Sequence, residues 1–251
     1  MDPVVEALVA QQTELAEILS VLGEAEWHNP TRCEGWDVAD VVLHLAQTDE
    51  MAISSATGQF PDVAETLAGE LGSASSVDEK AALMVERERG RPTSDLLGRW
   101  ASGAARLVGV LDGMDLSTRV SWVAGELSAR TLATTRIAET WIHAGDVADA
   151  VGVKLLPTDR LRLIARLAWR TLPYAFASAG LTMHGPAAFR LTSPQGEPWD
   201  YLPDSPRSTT ISGPPTELCA VAARRVDPSS TSLTGEGPDV DQILALVRTY
   251  A

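Results

Sequence analysis

Apolar residues recur at helical spacing through most of the first 155 residues of this sequence. Residues 3–22 carry them on one face, and that pattern ends at Gly23. Asp37 is predicted to cap a second helix, because its carboxylate can accept from backbone amides two and three residues later. Further helices are predicted over 78–89, 93–112 and 127–151, the last ending at Gly152. Four main helices with modest loops predict an antiparallel bundle.

The segments that connect these predicted helices have a weaker hydrophobic periodicity. Residues 57–78 predict a broken connection with one short helix, and Asp115 to Gly125 predicts irregular chain anchored by Trp122.

The pattern changes after Pro157. One helix is predicted over 158–180, capped by Thr158 or Asp159, and "FRLTSPQGEPWDY" predicts a hairpin. Two further strands, "STTISG" and "SLTGEG", alternate with the helices "PTELCAVAARR" and "DVDQILALVRTY". The fold class is therefore predicted as α+β, with a helix bundle over 1–155 and a small α+β domain over 156–251.

Charge and composition exclude several classes of partner. The 251 residues have a formal net charge of −14, which disfavours a nucleic acid partner. No run approaches the roughly 18 apolar residues of a membrane span, and the N-terminus is too acidic for a signal peptide. With two cysteines as well, we expect a cytoplasmic protein with reduced thiols, a small-molecule substrate and no membrane partner.

The segment "ETWIHAGD" places three groups that could bind a metal on one helix face. With Glu139 at zero on a helical wheel, His143 lies at about 40° and Asp146 at about −20°. Trp141 and Ile137 point the opposite way. Taken alone, this pattern is typical of the solvated face of a surface helix.

His44 makes a metal site a second interpretation. It lies at the edge of the apolar stripe on the helix that begins at Asp37. Together with Glu139 and His143 it would supply two nitrogens and one oxygen, which is a donor set of catalytic zinc sites. A core-edge histidine bonded to a backbone carbonyl stays open as the alternative.

Two stretches resemble one family. "CEGWDVADVVLHLAQTDE" and "RIAETWIHAGDVADAVGV" are similar to the two signatures of the mycothiol-dependent maleylpyruvate isomerase family, within the DinB-like bundles. The resemblance extends over the whole chain and is nearest to an actinobacterial branch of metal-binding proteins. It implies a four-helix bundle followed by a sterol-carrier-like domain. It also implies a divalent metal, usually zinc, held by His44, Glu139 and His143.

The resemblance also implies a reaction type. In such enzymes a metal favours the deprotonated form of a thiol cofactor, mycothiol, and the thiolate adds to an electrophile. The leading hypothesis is thus a zinc-dependent isomerase or thiol transferase. Two alternatives are a biosynthetic enzyme that uses zinc as a Lewis acid without a thiol, and a metal- or ligand-binding protein without catalysis.

Four other residues were candidates for the same site. The resemblance implies an arginine from the C-terminal domain, for which Arg224 and Arg225 are available; the alternative is an ordinary basic helix end, because cations favour helix C-termini. Asp146 is either an acceptor that orients a histidine N–H or a surface carboxylate. Cys33 precedes the His44 helix and is either a catalytic thiol or a packing residue.

Overall fold

The computed structural model describes residues 1–71, 76–123 and 125–249. It divides into two compact units, Met1–Leu155 and a second unit that begins at Leu156. The fold is mixed α+β, as predicted.

Four long helices form the body of the first unit: α1 (Pro3–Leu19), α2 (Val38–Ala56), α5 (Thr93–Asp112) and α6 (Ala129–Val151). Each packs against two of the others, so that α2 contacts α5 and α6, while α1 contacts α6 and α5. Two shorter helices, α3 (Phe60–Leu71) and α4 (Val77–Glu88), lie in the connection from α2 to α5 and pack against α2.

The core of this bundle consists mainly of aliphatic side chains. Val38, Val41, Val42 and Leu45, the predicted stripe of α2, are all fully buried. They pack with buried side chains of the other three long helices, among them Leu15, Trp100 and Val147. Each such side chain contributes about 1.5–3 kcal/mol on leaving water, so the packing between helices, more than local propensity, holds them in place.

The segment predicted as irregular, Asp115 to Gly125, contains one strand of a β-hairpin and the start of the other, which continues through the first two residues of the helix predicted over 127–151. Strands β1 (Arg119–Trp122) and β2 (Gly125–Ser128) pair antiparallel. The hairpin is docked on its neighbours, because Ser55 Oγ donates to the carbonyl of Ser121 and the Trp122 ring lies 5.4 Å from that of Phe60. These long-range contacts, which a local pattern cannot show, stabilise strands of only four residues.

The second unit begins with a helix that is broken in two, where one was predicted. Helix α7 (Leu161–Arg170) ends at Thr171, and α8 (Leu172–Ser178) starts beside Pro173. Proline lacks the N–H that a continuous helix requires, which explains the break. The predicted caps Thr158 and Asp159 are wrong, since α7 starts after Arg160 without a side-chain cap.

A four-stranded sheet completes the second unit, in the order β4-β3-β5-β6. The predicted hairpin is β3 (Ala187–Thr192) with β4 (Pro198–Tyr201), while β5 (Thr209–Gly213) runs parallel to β3 and antiparallel to β6 (Thr234–Glu236). Helix α9 (Pro215–Ala222) packs against α7, and α10 (Val240–Leu246) packs against α8 and β5. Among the described residues, none of the helices has the length and apolarity required to span a membrane.

Candidate metal centre

Helices α2 and α6 carry the candidate ligands and run antiparallel. Asp37 starts α2 with a reciprocal capping box, in which its side chain accepts from the Asp40 amide and Asp40 accepts from the Asp37 amide. Ser128 caps α6, and Gly152 ends it in the left-handed conformation at φ 71°. These caps define where each of the two helices begins and where α6 ends.

Three side chains from these helices converge on one point. The Nε2 atom of His44 lies 2.8 Å from Oε1 of Glu139, and Nε2 of His143 lies 3.5 Å from that same oxygen. The two imidazole rings meet edge to face with centroids 5.0 Å apart. One ligand atom from each residue lies within 4.8 Å of the other two. The structure thus brings together the three residues predicted as ligands.

The interpretation of this α6 face as solvated is wrong. His143 is 7% exposed and Asp146 is 1% exposed, while the Glu139 side chain retains 20% exposure. His44 is 7% exposed, and its predicted alternative partner, a backbone carbonyl, is replaced by the Glu139 carboxylate. A helical wheel cannot show this, because α6 packs against both α1 and α2 and is buried on more than one face.

A second set of contacts lies on the opposite edge of the His143 ring. Its Nδ1–H donates to Oδ2 of Asp146 over 3.0 Å, and the Cys33 thiol donates to the same oxygen over 3.4 Å. The Cys33 Sγ atom is also 3.9 Å from His143 Nδ1. Asp146 therefore holds the Nδ1 side of His143. A carboxylate in this position orients the imidazole and leaves the Nε2 atom of His143 available to coordinate a metal.

Electrostatics at the centre is dominated by burial and by these contacts. Burial raises the pKa of Glu139, but hydrogen bonds with His143 and His44 outweigh it and hold the pKa well below 4.5. Burial lowers the pKa of His143, yet Asp146, Cys33 and Glu139 hold it well above 6.5. For His44 burial wins over the bond to Glu139, and its pKa falls below 6.5.

One turn away lies a buried ion pair that the sequence did not predict. Arg136 Nε donates to Oδ1 of Asp49 over 2.9 Å, and its Nη2 donates to Oγ1 of Thr48 over 2.8 Å. On a helical wheel Arg136, three residues before Glu139, falls on the face of Glu139, and this position is the signal that the sequence offers. Its partner lies on another helix, so the pair could not be found from spacing.

The donor set fits a divalent cation. Two imidazole nitrogens and one carboxylate oxygen match the His₂Glu ligands of catalytic zinc sites, in which a fourth position stays open. The carboxylate that holds the remaining N–H of one ligand histidine is the usual support of such sites. His44, Glu139 and His143 are thus suited to hold zinc.

The two predicted arginines lie in the second unit, directly after α9. Arg224 is exposed and has a positive φ of 58°, and the Nη1 group of Arg225 donates to the carbonyl of Ala223. A role of either one at the metal centre stays a prediction.

Comparison with known proteins gives a family match over most of the first unit. The model of the mycothiol maleylpyruvate isomerase N-terminal domain matches residues 8–148. An uncharacterised protein of Mycobacterium tuberculosis, found in two strains, is 30% identical over 250 residues, which cover 99% of this chain and 95% of that protein.

Two solved structures are similar over nearly the whole chain. The crystal structure of the mycothiol-dependent maleylpyruvate isomerase matches with a TM-score of 0.61 and 20% identity, covering 94% of this chain and 95% of that one. A mutant of that isomerase matches with a TM-score of 0.59 and 19% identity over the same shares. At this identity the likeness shows a common fold.

Proposed function

Because this chain belongs to the mycothiol maleylpyruvate isomerase N-terminal domain family, we propose that it is a zinc-dependent enzyme that uses a thiol cofactor. Its reaction would be isomerisation of a small electrophilic substrate, or transfer of the thiol to that substrate. Mycothiol is the proposed cofactor, since the family and the solved structures of similar fold carry it in their names.

One observation carries this proposal: two imidazole Nε2 atoms face a single carboxylate oxygen inside the bundle. A purely structural ion pair would need only one histidine for one carboxylate. Three Lewis bases in contact, two of them 7% exposed, are the arrangement that a cation stabilises. The bound metal would supply a positive charge that favours the deprotonated form of a thiol.

The surrounding residues have separate tasks in this proposal. Asp146 holds the Nδ1–H of His143, which directs the lone pair of Nε2 toward the other ligands. The indole of Trp36 lies beside the His44 ring, with centroids 5.1 Å apart, and covers that side of the imidazole. Glu139 is the most exposed ligand, so solvent and substrate are expected to approach from its side.

The metal site is tested by zinc content of the purified protein. We expect one zinc per wild-type chain and its loss in His44→Ala and His143→Ala. His28→Ala is the matched control, because His28 belongs to the same unit but is exposed and bonded to Asp37. Unchanged zinc in the two ligand variants would refute the proposed ligand set.

The thiol is tested separately. Zinc-loaded enzyme is incubated with maleylpyruvate and related conjugated acids, with and without mycothiol, and product formation is followed by absorbance. Turnover only with mycothiol supports the proposal. Turnover without a thiol would favour direct Lewis-acid catalysis, and stoichiometric zinc without turnover in either condition would favour a binding protein.

Arg224 and Arg225 are proposed to hold a carboxylate of the substrate. Arg224→Gly removes one side chain without strain, because glycine accepts the positive φ of that residue. Arg225→Ala removes the other. The one that binds substrate should raise KM with a smaller effect on kcat, whereas KM unchanged in both variants would contradict this role.

A further inference from the structure

The loop before α2 contains a tightly bonded turn, Thr31 to Trp36. Both the amide and the hydroxyl of Thr31 donate to the carbonyl of Trp36, over 3.0 and 2.9 Å. The Trp36 amide donates to the carbonyl of Cys33 over 2.9 Å, and the Cys33 amide donates to Thr31 Oγ1 over 3.2 Å. Gly35 has a φ of 77°, which glycine adopts without strain. The turn therefore has little freedom to change shape.

Two side chains of this turn lie next to the candidate metal ligands. Trp36 lies against the ring of His44, and Cys33 reaches Asp146 and the ring of His143. The turn thus contacts both candidate ligand histidines, which come from different helices. The same turn places the Cys33 thiol 3.4 Å from Oδ2 of Asp146.

We propose that Cys33 is a positioning residue: its thiol donates to Asp146 Oδ2, and this carboxylate in turn holds His143 with Nε2 toward the metal. The inference rests on the proposed function for the identity of the ligands. Asp146 Oδ2 accepts from the Cys33 thiol as well as from His143, so each donor limits the directions available to the carboxylate. Without the thiol, the carboxylate would have one donor fewer to fix its orientation, and the imidazole that it holds would be less constrained.

Two other roles for Cys33 fit the geometry less well. As a ligand of the metal held by His44 and Glu139, Cys33 would have to approach those two residues. Its Sγ instead lies beside His143 Nδ1 and Asp146, on the other edge of the ring, where these three form a second group that could hold a metal. As a nucleophile, it would need a base free to take its proton, whereas the nearest carboxylate is already bonded to His143.

Zinc affinity provides the first test. Cys33→Ala should bind zinc about 10-fold more weakly, at the low end of the loss seen when an outer partner of a ligand is removed. Cys33→Ser keeps a donor and should stay within about threefold of wild type. Cys219→Ala is the control for a removed thiol, since Cys219 is fully buried in the second unit.

A double-mutant cycle shows whether Cys33 acts through Asp146. In an Asp146→Asn background, Cys33→Ala should change zinc affinity less than about twofold, because the carboxylate on which it acts is gone. A full 10-fold loss in that background would overturn the inference. Equal affinity of Cys33→Ala and wild type would overturn it as well, while loss of zinc in His44→Ala would still support the ligand set.

Two spectroscopic measurements need no activity. Cobalt substituted for zinc should show no thiolate-to-metal charge-transfer band, and such a band that disappears in Cys33→Ser would identify Cys33 as a ligand instead. In metal-free protein with ¹⁵N-labelled histidine, the His143 Nδ1–H signal should be sharp in wild type and Cys33→Ser and exchange-broadened in Cys33→Ala. An unchanged signal in Cys33→Ala would contradict the positioning role even if the protein bound no zinc.

Discussion

Two buried polar layers lie one helical turn apart between α2 and α6, and they are built on opposite principles. The layer of His44, Glu139 and His143 presents three Lewis bases to one another. The layer of Arg136 and Asp49 joins a cation to an anion, with side chains 3% and 0% exposed. Burial is therefore common to both and does not distinguish a functional site from a structural one. The distinction lies in the source of the positive charge: the guanidinium of Arg136 carries one at every pH, whereas an imidazole carries one only when it is protonated and can otherwise coordinate a metal.

The largest effect on stability is expected from breaking the buried ion pair between Arg136 and Asp49. Arg136→Met leaves the Asp49 carboxylate buried without its cation and should cost about 3–5 kcal/mol of unfolding free energy. Arg130→Met, which breaks an exposed pair with Asp2, should cost less than about 1 kcal/mol. Urea denaturation of both variants measures the difference.

The double variant Arg136→Met with Asp49→Leu sharpens this result. An apolar replacement of the whole pair should recover most of the lost stability. If Arg136→Met is no more destabilising than Arg130→Met, the ion pair is not a structural element of the bundle.

The next largest effect is expected from removing the metal. Zinc at 100 times its dissociation constant should stabilise the wild type by about 2.7 kcal/mol, and a chelator should abolish this gain. His143→Ala should show no zinc-dependent gain in thermal melting. Arg136→Met should keep this zinc-dependent gain, although the variant is less stable without zinc. If the gain is lost in Arg136→Met, zinc binding depends on the ion pair.

A smaller effect is expected when the pH of metal-free protein is changed. The raised pKa of His143 contributes stability that is complete below pH 6.5 and is lost as pH rises through the folded pKa. The lowered pKa of His44 acts in the opposite sense, so that stability is lost as pH falls below 6.5. Stability should therefore be greatest near pH 6.5, with slopes of at most about 1.4 kcal/mol per pH unit.

Denaturation at pH 5 to 9 in the presence of a chelator measures this dependence. His143→Gln should remove the decline above pH 6.5 and leave the decline below it. A metal-free protein with a flat profile would contradict the coupling of these histidines to Glu139 and Asp146.

The smallest effect is expected from the helix cap that supports both layers. Asp37→Ala should cost about 1 kcal/mol of unfolding free energy and leave zinc affinity unchanged. His28→Ala removes exposed contacts with Asp37 and Glu24 but keeps the cap, and it serves as the control. A lower zinc affinity in Asp37→Ala would show that the start of α2 also positions the metal ligands.

Elements with strong local signals were predictable from the sequence. The cap at Asp37, the end of α6 at Gly152 and the hairpin over β3 and β4 are confirmed, because each follows from a few adjacent residues. The hairpin at Arg119–Ser128 was not predictable, since its stability comes from contacts with Ser55 and Phe60.

The candidate site, too, was predictable from the sequence only in part. The spacing of Glu139, His143 and Asp146 correctly placed them on one face of α6, but it could not show that this face is buried. The donor types suggested a pairing with His44 as one of two interpretations, and the resemblance, not periodicity, favoured it. Cys33 and Arg136 were named or placed without their partners, because both partners lie on other elements.

The antiparallel pairing of α2 and α6 also bears on how the chain folds. His44 and Glu139 are 95 residues apart in sequence, so the convergence of the three ligands requires a long loop to close. A metal bound there would act as a reversible cross-link across that loop, which includes α3, α4, α5 and the first hairpin. It could form only after the two helices have docked. It would therefore stabilise the native state more than the folding transition state, and would slow unfolding more than it speeds folding.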